Sequence, residues 1–393
     1  MFMSRSRYLF SIIFAFSLLV FLLHSAFTKN AIFADARFYF SYTHSLVKDH
    51  DLNLMNEYLS LNIQNKFEAG KIVANAYPPG ASIFWIPLYL NTNALANIFG
   101  FKNLGYEFAY QLSCALTSIF LGIFGLYLVY ILLKKYFSKN IALFSTLTLF
   151  GATNLLFYIA VEPINSHAAS FFVSSLFIFY FLRANIGYEK DYYMALGLLA
   201  GIAGIVRTQD IALLILPAIQ IFVHFRKSIN KLATQYLLLA SGFVAGFLPQ
   251  IILWKYFYNT FWFSPYFNTG FSLLKPQILH VLFNSQNGFF TLTPTVFLSL
   301  LGVLFLKGRG KLRFYILVYF ILQLYLISSW NDYTQGGSFS IRMMVTTYPL
   351  ISFGLAEVFN KILKKINQYY VLAGVFLLIL INCTLIINYL LKF

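Results

Sequence analysis

Repeated apolar runs of roughly 20 residues, separated by short polar loops, restrict the fold of this sequence more than any other feature. A helix of about 20 apolar residues crosses a bilayer, and in lipid only helices and closed barrels pair all of their backbone polar groups. Hydrophobic residues make up 60% of the chain and charged residues only 10%, whereas soluble domains are about a quarter charged. The sequence therefore predicts an all-α integral membrane protein with many spans.

Net charge and cysteine placement argue against two other classes of protein. A formal net charge of +16 would suggest a nucleic-acid partner in a soluble protein, but in a membrane protein it indicates loops that face the cytoplasm. Cys114 and Cys383 both fall within apolar runs, so we interpret them as small core residues rather than as a disulfide or a metal-binding pair. The 393 residues leave no room for a large soluble domain, and we predict one domain, 1–393.

Eleven of the apolar runs are predicted to span the membrane. They cover approximately residues 8–27, 107–133, 141–160, 168–183, 192–206, 210–225, 235–254, 289–306, 313–329, 341–358 and 369–391. Residues 81–99 are also apolar, but this segment contains Pro87 and three asparagines and follows Pro78-Pro79. We therefore expect it to lie along the membrane surface as a juxtamembrane helix, within a long first outer loop of residues 28–106.

Lysines and arginines decide the orientation, because positive charge in short loops marks the cytoplasmic side. With eleven spans, more than half of the 28 lysines and arginines fall in short inner loops. They are Arg5, Arg7, Lys134, Lys135, Lys139, Arg183, Lys190, Arg226, Lys227, Lys231, Lys307, Arg309, Lys311, Arg313, Lys361, Lys364 and Lys365. If residues 81–99 also spanned the membrane, every later loop would lie on the opposite side. The basic loops after this segment would then face outward. We predict a protein of the plasma or inner membrane with a cytoplasmic N-terminus.

The polar interval from Phe33 to Gly80 carries five of the twelve acidic residues, and Asp35 lies just beyond the first predicted helix. A carboxylate near lipid is costly, and it is usually retained for a function. Asp35 is therefore a candidate catalytic residue. The alternative is that it only caps a short interfacial helix.

Polar residues from distant parts of the chain meet at the outer face in this topology. Besides Asp35, the candidate catalytic residues are Glu162 and His167, and the candidate substrate-binding residues are Lys71, Tyr77, Arg207, Gln286, Trp330 and Arg342. Convergence of acids, a histidine and arginines at one membrane face indicates a site.

Several of these candidates also have a purely structural interpretation. Glu162 would then lie in a solvated loop, and His167 would simply begin a helix at the interface. Arg207 and Asp210 are three residues apart and would pair with each other. Arg342 would extend along apolar surface towards water.

One chemistry uses these groups together, namely transfer of a sugar from a donor that is linked to a lipid phosphate. The cations suited to the phosphate are Lys71, Arg207 and Arg342. Asp35 is placed to take the proton of an acceptor hydroxyl. Glu162 is expected to share with Asp35 a divalent ion, such as Mg²⁺ or Mn²⁺, that neutralises the departing phosphate. The aromatic stretch from Tyr256 to Phe290 is typical of a lipid-facing surface, and it is suited to holding the prenyl chain.

Four motifs occur in an order that resembles a known family. They are Asp35 early in the first outer loop; Tyr77-Pro78-Pro79-Gly80 closing that loop; Glu162 followed by Ser166-His167-Ala168; and Trp330 followed by Gly336-Gly337-Ser338-Phe339 and Arg342. This arrangement resembles the GT-C glycosyltransferases that use polyprenyl-phosphate sugars. The similar branch includes protein O-mannosyltransferases and aminoarabinose lipid A transferases.

The resemblance implies a hexosyl- or pentosyltransferase of the cell envelope that inverts the sugar carbon. Its donor would be a polyprenyl-phosphate sugar, and its acceptor a hydroxyl of a glycan, lipid or protein at the outer membrane face. The alternative from another class is a multi-pass transporter or lipid flippase without covalent chemistry. Such a protein should show two related halves with interrupted helices and charges near the midplane, whereas the charges here gather at one end. A catalytically inactive partner subunit is a third interpretation.

Overall fold

The computed structural model describes residues 2–64, 67–69, 72–183, 190–263 and 270–392. In chain order the α-helices are α1 (Phe2–Thr28), α2 (Ala36–His44), α3 (Met55–Ser60), α4 (Gly80–Ile98), α5 (Phe108–Lys134), α6 (Lys139–Gly151), α7 (His167–Arg183), α8 (Lys190–Val206), α9 (Ile215–Phe225), α10 (Ile229–Tyr258), α11 (Ile278–Phe283), α12 (Phe289–Leu292), α13 (Pro294–Leu304), α14 (Gly310–Ser329), α15 (Tyr348–Ile362) and α16 (Gln368–Leu390). A short antiparallel hairpin, β1 (Phe67–Ala69) and β2 (Ile72–Ala74), lies in the first polar loop. The predicted all-α membrane class is confirmed.

Six helical segments among the described residues are long and apolar enough to cross a bilayer. They are Tyr8–Thr28, Phe108–Lys134, Thr208–Phe225, Ile229–Tyr258, Gly310–Ser329 and Gln368–Leu390. Shorter apolar helices occupy His167–Leu182, Asp191–Val206 and Pro294–Leu304. The helix α4, which covers most of residues 81–99, is not among these segments. Its location at the membrane surface stays a prediction.

Each of the eleven predicted spans falls on helical structure, but four of them are interrupted. Residues 141–160 divide into α6 and a π-helical turn, Phe157–Val161. Residues 210–225 and 341–358 begin as 3₁₀-helix, at Thr208–Leu214 and Arg342–Thr347, before α9 and α15 follow. Residues 289–306 divide into α12 and α13, where Pro294 starts the second helix. Hydropathy alone did not predict these interruptions.

Side-chain amides compensate for two of the interruptions. In α16, the Nδ2 atom of Asn382 donates to the carbonyl oxygens of Gly151 and Thr153, at 2.9 Å each, where α6 ends. In α14, the Nε2 atom of Gln323 donates to the carbonyl oxygen of Gln209 at 3.2 Å. A backbone carbonyl that leaves a helical ladder inside a membrane protein needs a substitute partner, and these amides supply it.

The first polar loop folds into a compact layer beside α4 and α5. The hydroxyl of Ser82 in α4 donates to the carbonyl of Tyr39 in α2 at 2.6 Å. Trp85 of α4 is fully buried, and its indole N–H donates to the hydroxyl of Ser118 in α5 at 2.8 Å. Tyr58 donates to the carbonyl of Ala74 at 2.9 Å. These contacts fix the loop, and therefore Asp35, against the helical bundle.

Glycines allow α8 and α10 to pack backbone against backbone. A Cβ atom added to Gly242 would lie 2.0 Å from the carbonyl oxygen of Met194, and one added to Gly197 would lie 2.1 Å from that of Leu239. Small residues at such positions are the usual way in which membrane helices approach closely.

The close α8–α10 contact predicts that Gly242→Ala lowers stability, because its methyl group would occupy the space of a backbone carbonyl. We expect a loss of about 1–3 kcal/mol and a lower melting temperature in detergent. Gly374→Ala in α16 is the matched control, since nothing lies within 4 Å of its added Cβ atom, and it should melt at or above the wild-type temperature. Equal melting temperatures for the two variants would contradict the contact.

Candidate functional site

Asp35 and Arg342 form an ion pair between the first polar loop and the last third of the chain. The Nη2 atom of Arg342 lies 2.7 Å from Oδ2 of Asp35, and both side chains are partly buried. The hydroxyl of Tyr77 donates to the other carboxylate oxygen, Oδ1, at 3.1 Å. Asp35 precedes α2 but makes no capping hydrogen bond there. The contacts therefore differ from those expected for a helix cap or for an arginine extended towards water.

A tight loop after α14 directs Arg342 towards Asp35. Gly336 and Gly337 have φ angles of +63° and +76°, a left-handed conformation that glycine adopts without strain. The backbone N–H of Met343 donates to Oε1 of Gln335 at 3.3 Å, which holds the two sides of the loop together. The Gly336-Gly337 motif therefore serves as a turn that brings the start of the next helix back over the first loop.

A second buried cluster surrounds Arg207 at the end of α8. Its Nη1 atom donates to the hydroxyl of Ser166 at 2.9 Å and contacts Nδ1 of His167 at 3.1 Å. A guanidinium only donates, so Nδ1 of His167 accepts, and the neutral imidazole carries its proton on Nε2. The hydroxyl of Ser166 donates in turn to that of Tyr39 at 3.0 Å. The ring of Tyr39 packs edge-on against that of Tyr77 at a centroid distance of 5.5 Å, so the two clusters are in contact.

Asp210 does not pair with Arg207 through its side chain. Among the described residues, Oδ2 of Asp210 accepts a hydrogen bond from the hydroxyl of Ser170 at 2.6 Å, and Asp210 is fully buried. Arg207 has an extended backbone, with φ −148° and ψ 122°, so its side chain leaves the helical face on which Asp210 lies. The side chains of Arg207 and Asp210 therefore have separate partners, in contrast to the structural interpretation in which they pair with each other.

Glu162 lies between the π-helical turn and α7, and its side chain is partly buried rather than fully solvated. Burial raises the pKa of Glu162 to about 7, although the positive charge of Arg342 lowers it in part. Burial, followed by the negative charge of Asp35, raises the pKa of Tyr77. At neutral pH the Tyr77 hydroxyl therefore remains a donor, whereas Glu162 keeps its proton to a higher pH than an exposed glutamate does.

The remaining candidates have different surroundings. Trp330 ends α14 and lines an apolar cavity of about 440 Å³. Gln286 is exposed, and its backbone N–H bonds to Asn284. Lys71 lies outside the described residues. Tyr39 and Ser166 join the clusters, although neither was singled out as a site residue. The spacing of Tyr39 from Asp35 is the signal that places both on one side of α2.

The apolar cavity is lined by residues that neighbour the two arginines in the chain. Residues on its wall include Ile211, Ala212, Leu326, Trp330 and Met343. Because Thr208 follows Arg207 and Met343 follows Arg342 in the chain, the cavity adjoins the segments that carry the two arginines.

The predicted metal pair, Asp35 and Glu162, stays a prediction. Both oxygens of Asp35 already have partners in Arg342 and Tyr77, so a metal would have to displace one of them. Elsewhere in the described chain, His44, Asp49 and Glu57 bring one ligand atom each within 4.8 Å of the others. This group meets the spacing for a metal ion, but it is not the predicted pair.

This chain is similar to a protein family in sequence and to solved structures in fold. Residues 95–254 match the family described as dolichyl-phosphate-mannose-protein mannosyltransferase. Among solved structures, the fold is similar to ArnT from Cupriavidus metallidurans, which was crystallised bound to undecaprenyl phosphate. The TM-score is 0.54 at 13% sequence identity, and the match covers 93% of this chain and 62% of ArnT. The chain thus spans less than two thirds of the length of ArnT. No curated protein matches the sequence.

The fold is similar to that of ArnT, a membrane protein of the GT-C class, and the family match covers less than half of this chain. The resemblance expected from the sequence motifs is confirmed at the level of the GT-C superfamily. At 13% identity, the likeness to ArnT concerns the fold alone.

The raised pKa of Glu162 predicts a specific pH dependence of stability. The folded protein binds this proton more tightly than the unfolded chain, so the stabilisation is full below about pH 4.5 and is lost as the pH rises through about 7. Glu162→Gln removes this titration. We therefore expect the melting temperature of the wild type to fall more steeply between pH 5 and pH 8 than that of the variant. Parallel melting curves across this range would show that Glu162 titrates normally.

Proposed function

We propose that this chain transfers a sugar from a polyprenyl-phosphate donor to a hydroxyl group of a glycan, lipid or protein acceptor. The observation that carries the proposal is the Asp35–Arg342 ion pair, at 2.7 Å. Met343, the next residue after Arg342, lines an apolar cavity of about 440 Å³. A carboxylate suited to proton transfer, a cation suited to phosphate and a binding space for a lipid chain are then adjacent.

The donor would place its phosphate near the two arginines and its lipid chain in the apolar cavity. Arg342 has five N–H donors in a planar fork, so it is able to contact a phosphate while it keeps one bond to Asp35. Arg207 is held by Ser166 and His167 close to the same region. The undecaprenyl phosphate bound to ArnT supports a donor of this lipid class. Tyr77 and Trp330 would complete the walls of the binding site.

Asp35 would act as the general base. Its Oδ1 atom accepts a hydrogen bond from Tyr77, and an acceptor hydroxyl in that position would pass its proton to the carboxylate. The acceptor oxygen would then bond to the sugar carbon while the bond from that carbon to the phosphate oxygen breaks. Attack in line with the departing oxygen inverts the carbon. The polyprenyl phosphate leaves with one added negative charge, which the arginines stabilise.

Glu162 and His167 would support this reaction from the second side of the site. His167 accepts from Arg207 and therefore acts as a positioning residue for that cation. Glu162 keeps its proton to a higher pH than an exposed glutamate does and lies within the field of Arg342, so it is suited to bind a sugar hydroxyl or to exchange a proton. A divalent ion shared by Asp35 and Glu162 is the alternative means of neutralising the phosphate. Lys71 and Gln286 stay predictions.

The distribution of basic residues supports an outer-face site in the cell membrane. The helix α15 follows the segment that carries Arg342, and it ends at Ile362. At that end, a polar cavity of about 860 Å³ is lined by Lys134, Lys135 and Lys364. The site and this basic end are thus separated by the length of α15. If the basic loops are cytoplasmic, as such loops usually are, the site faces outward.

The proposed base predicts a large loss of turnover in Asp35→Asn. General base catalysis is worth about 10²–10⁴-fold, so turnover should fall by that factor, measured as polyprenyl phosphate released from a radiolabelled sugar donor by purified protein. Asp51→Asn is the matched control, because Asp51 lies in the same loop and bonds to Ser45 instead. Melting curves would establish that both variants are folded.

Near-normal turnover in Asp35→Asn would place the base elsewhere. No release by the wild type from any polyprenyl-phosphate sugar would instead favour a transporter, a flippase or an inactive partner subunit.

The lipid cavity predicts a separate effect on donor binding. Ala212→Phe would fill part of the cavity beside Trp330, so the KM for a long-chain donor should rise roughly tenfold, the equivalent of about two methylene groups at ~0.8 kcal/mol each. The turnover number should change little, because the reacting groups are untouched. Ala373→Phe, at an exposed position of α16, is the control. An equal KM for the two variants would exclude this cavity as the lipid site.

A further inference from the structure

Three metal-ligating side chains meet at the end of α2 that is remote from Asp35. His44 is the last residue of α2, Asp49 ends the π-helical turn that follows it, and Glu57 lies in α3. The turn reverses the chain, since His50 after it has a φ angle of +57°. His44 and Glu57, which are 13 positions apart in the sequence, are thereby brought together with Asp49.

The nitrogen Nδ1 of His44 faces both carboxylates. It lies 2.9 Å from Oε1 of Glu57 and 3.4 Å from Oδ2 of Asp49. The other ring nitrogen, Nε2, lies 2.7 Å from the carbonyl oxygen of Leu104. A carbonyl oxygen only accepts, so Nε2 carries a proton. In the neutral ring, Nδ1 therefore presents its lone pair to two carboxylates, an arrangement that a cation between them would stabilise.

Glu57 supplies the second, independent observation. Its side chain is 0% exposed, and its Oε2 atom has no hydrogen-bond donor among the described residues. A buried carboxylate oxygen without a partner is costly. A cation between the three side chains would satisfy this oxygen and separate the lone pair of His44 from the carboxylates.

We propose that His44, Asp49 and Glu57 bind a divalent transition-metal ion of the zinc type. Ligands bonded to zinc at about 2.0–2.2 Å in a tetrahedron lie roughly 3.3 Å apart, and the distances of 2.9 Å and 3.4 Å bracket this spacing. One imidazole with two carboxylates suits zinc better than calcium or magnesium, which prefer oxygen ligands alone. Water completes the coordination.

The surroundings match those of known metal sites. Histidine ligands usually donate their second N–H to a carbonyl or carboxylate, which fixes the ring, and Leu104 provides that carbonyl. The ring of His44 also stacks on Tyr106 at a centroid distance of 4.1 Å. The amide of Asn56 donates to Oδ2 of Asp49 at 2.6 Å, which orients the second ligand.

The ion would have a structural role. It would join the end of α2, the π-helical turn and α3, and through Leu104 it would join them to the segment before α5. Asp35 directly precedes α2, so the ion would hold that helix at the end opposite the ion pair with Arg342. This inference does not rest on the proposed sugar transfer, because metal binding is measured without a donor or an acceptor.

Metal analysis of purified full-length protein tests the proposal. After chelator treatment and dialysis against buffered Zn²⁺, we expect one equivalent of zinc per chain, and a rise in melting temperature that saturates at one equivalent. Co²⁺ in place of Zn²⁺ should give the visible absorption of a four-coordinate ion. Mn²⁺ alone, tested in parallel, should bind more weakly.

The variants divide into ligands, a supporting residue and a control. His44→Gln and Glu57→Gln should lose the equivalent of zinc, and Asn56→Ala should weaken its binding by about 10–100-fold. His50→Gln is the control, because His50 is an exposed histidine of the same loop, and it should bind zinc as the wild type does.

Two results would overturn the proposal. The first is a wild-type protein that binds neither Zn²⁺ nor Co²⁺ and whose melting temperature does not respond to them, as expected if a protonated His44 simply pairs with the two carboxylates. The second is zinc retained at wild-type affinity in His44→Gln. The first result uses only the wild-type protein, so it is decisive even if a ligand variant fails to fold.

Discussion

The ion pair between Asp35 and Arg342 is the contact around which the polar interior of this protein is arranged. In a bundle with few charges, either side chain alone would be costly to bury, so each keeps the other in place. Tyr77 closes the pair on one side. On the other side, the hydroxyl of Tyr39 accepts a hydrogen bond from Ser166, which in turn accepts one from Arg207. The result is one connected set of polar groups that draws on the first loop, α7, α8 and the segment after α14.

This arrangement accounts for the unusual length of the first loop. A short loop would only connect two helices, whereas this one folds into a layer of its own. Trp85 and Tyr58 are buried within it, and their hydrogen bonds fix its backbone. Asp35 is thereby held by two independent supports, the packing of the loop and the ion pair across the bundle. Precise placement of a carboxylate near lipid needs both, because an acid held by one flexible contact would turn towards water.

Hydropathy predicted the helical membrane class, since apolar run length is a direct consequence of bilayer thickness. The topology placed Asp35, Tyr77 and Arg342 among the candidate residues of one membrane face, and the structure brings these three side chains into contact. Prediction failed where backbone geometry departs from the ideal helix. Arg207 and Asp210 have the spacing of a helical pair, but the extended backbone at Arg207 turns its side chain towards His167.

The contacts of His44 escaped prediction for a related reason. Its partners depend on a π-helical turn and a left-handed residue at His50, and neither has a period that a sequence pattern displays. Exposure of Gln286 likewise depends on how the loop before α12 folds, which polarity alone does not determine. Side-chain contacts that depend on irregular turns, such as those of His44, therefore could not be predicted from sequence periodicity.

The amides of Asn382 and Gln323 have a consequence for how this sequence tolerates change. Each occupies a position where an apolar residue would suit the surrounding helices better, and each bonds to a carbonyl that an interrupted helix has released. Replacing either with leucine would make the bundle more lipophilic but would leave that carbonyl unpaired, and the helix would gain by becoming continuous. These two polar residues thus favour the interrupted form of the helices they contact, and a more hydrophobic chain would favour continuous ones.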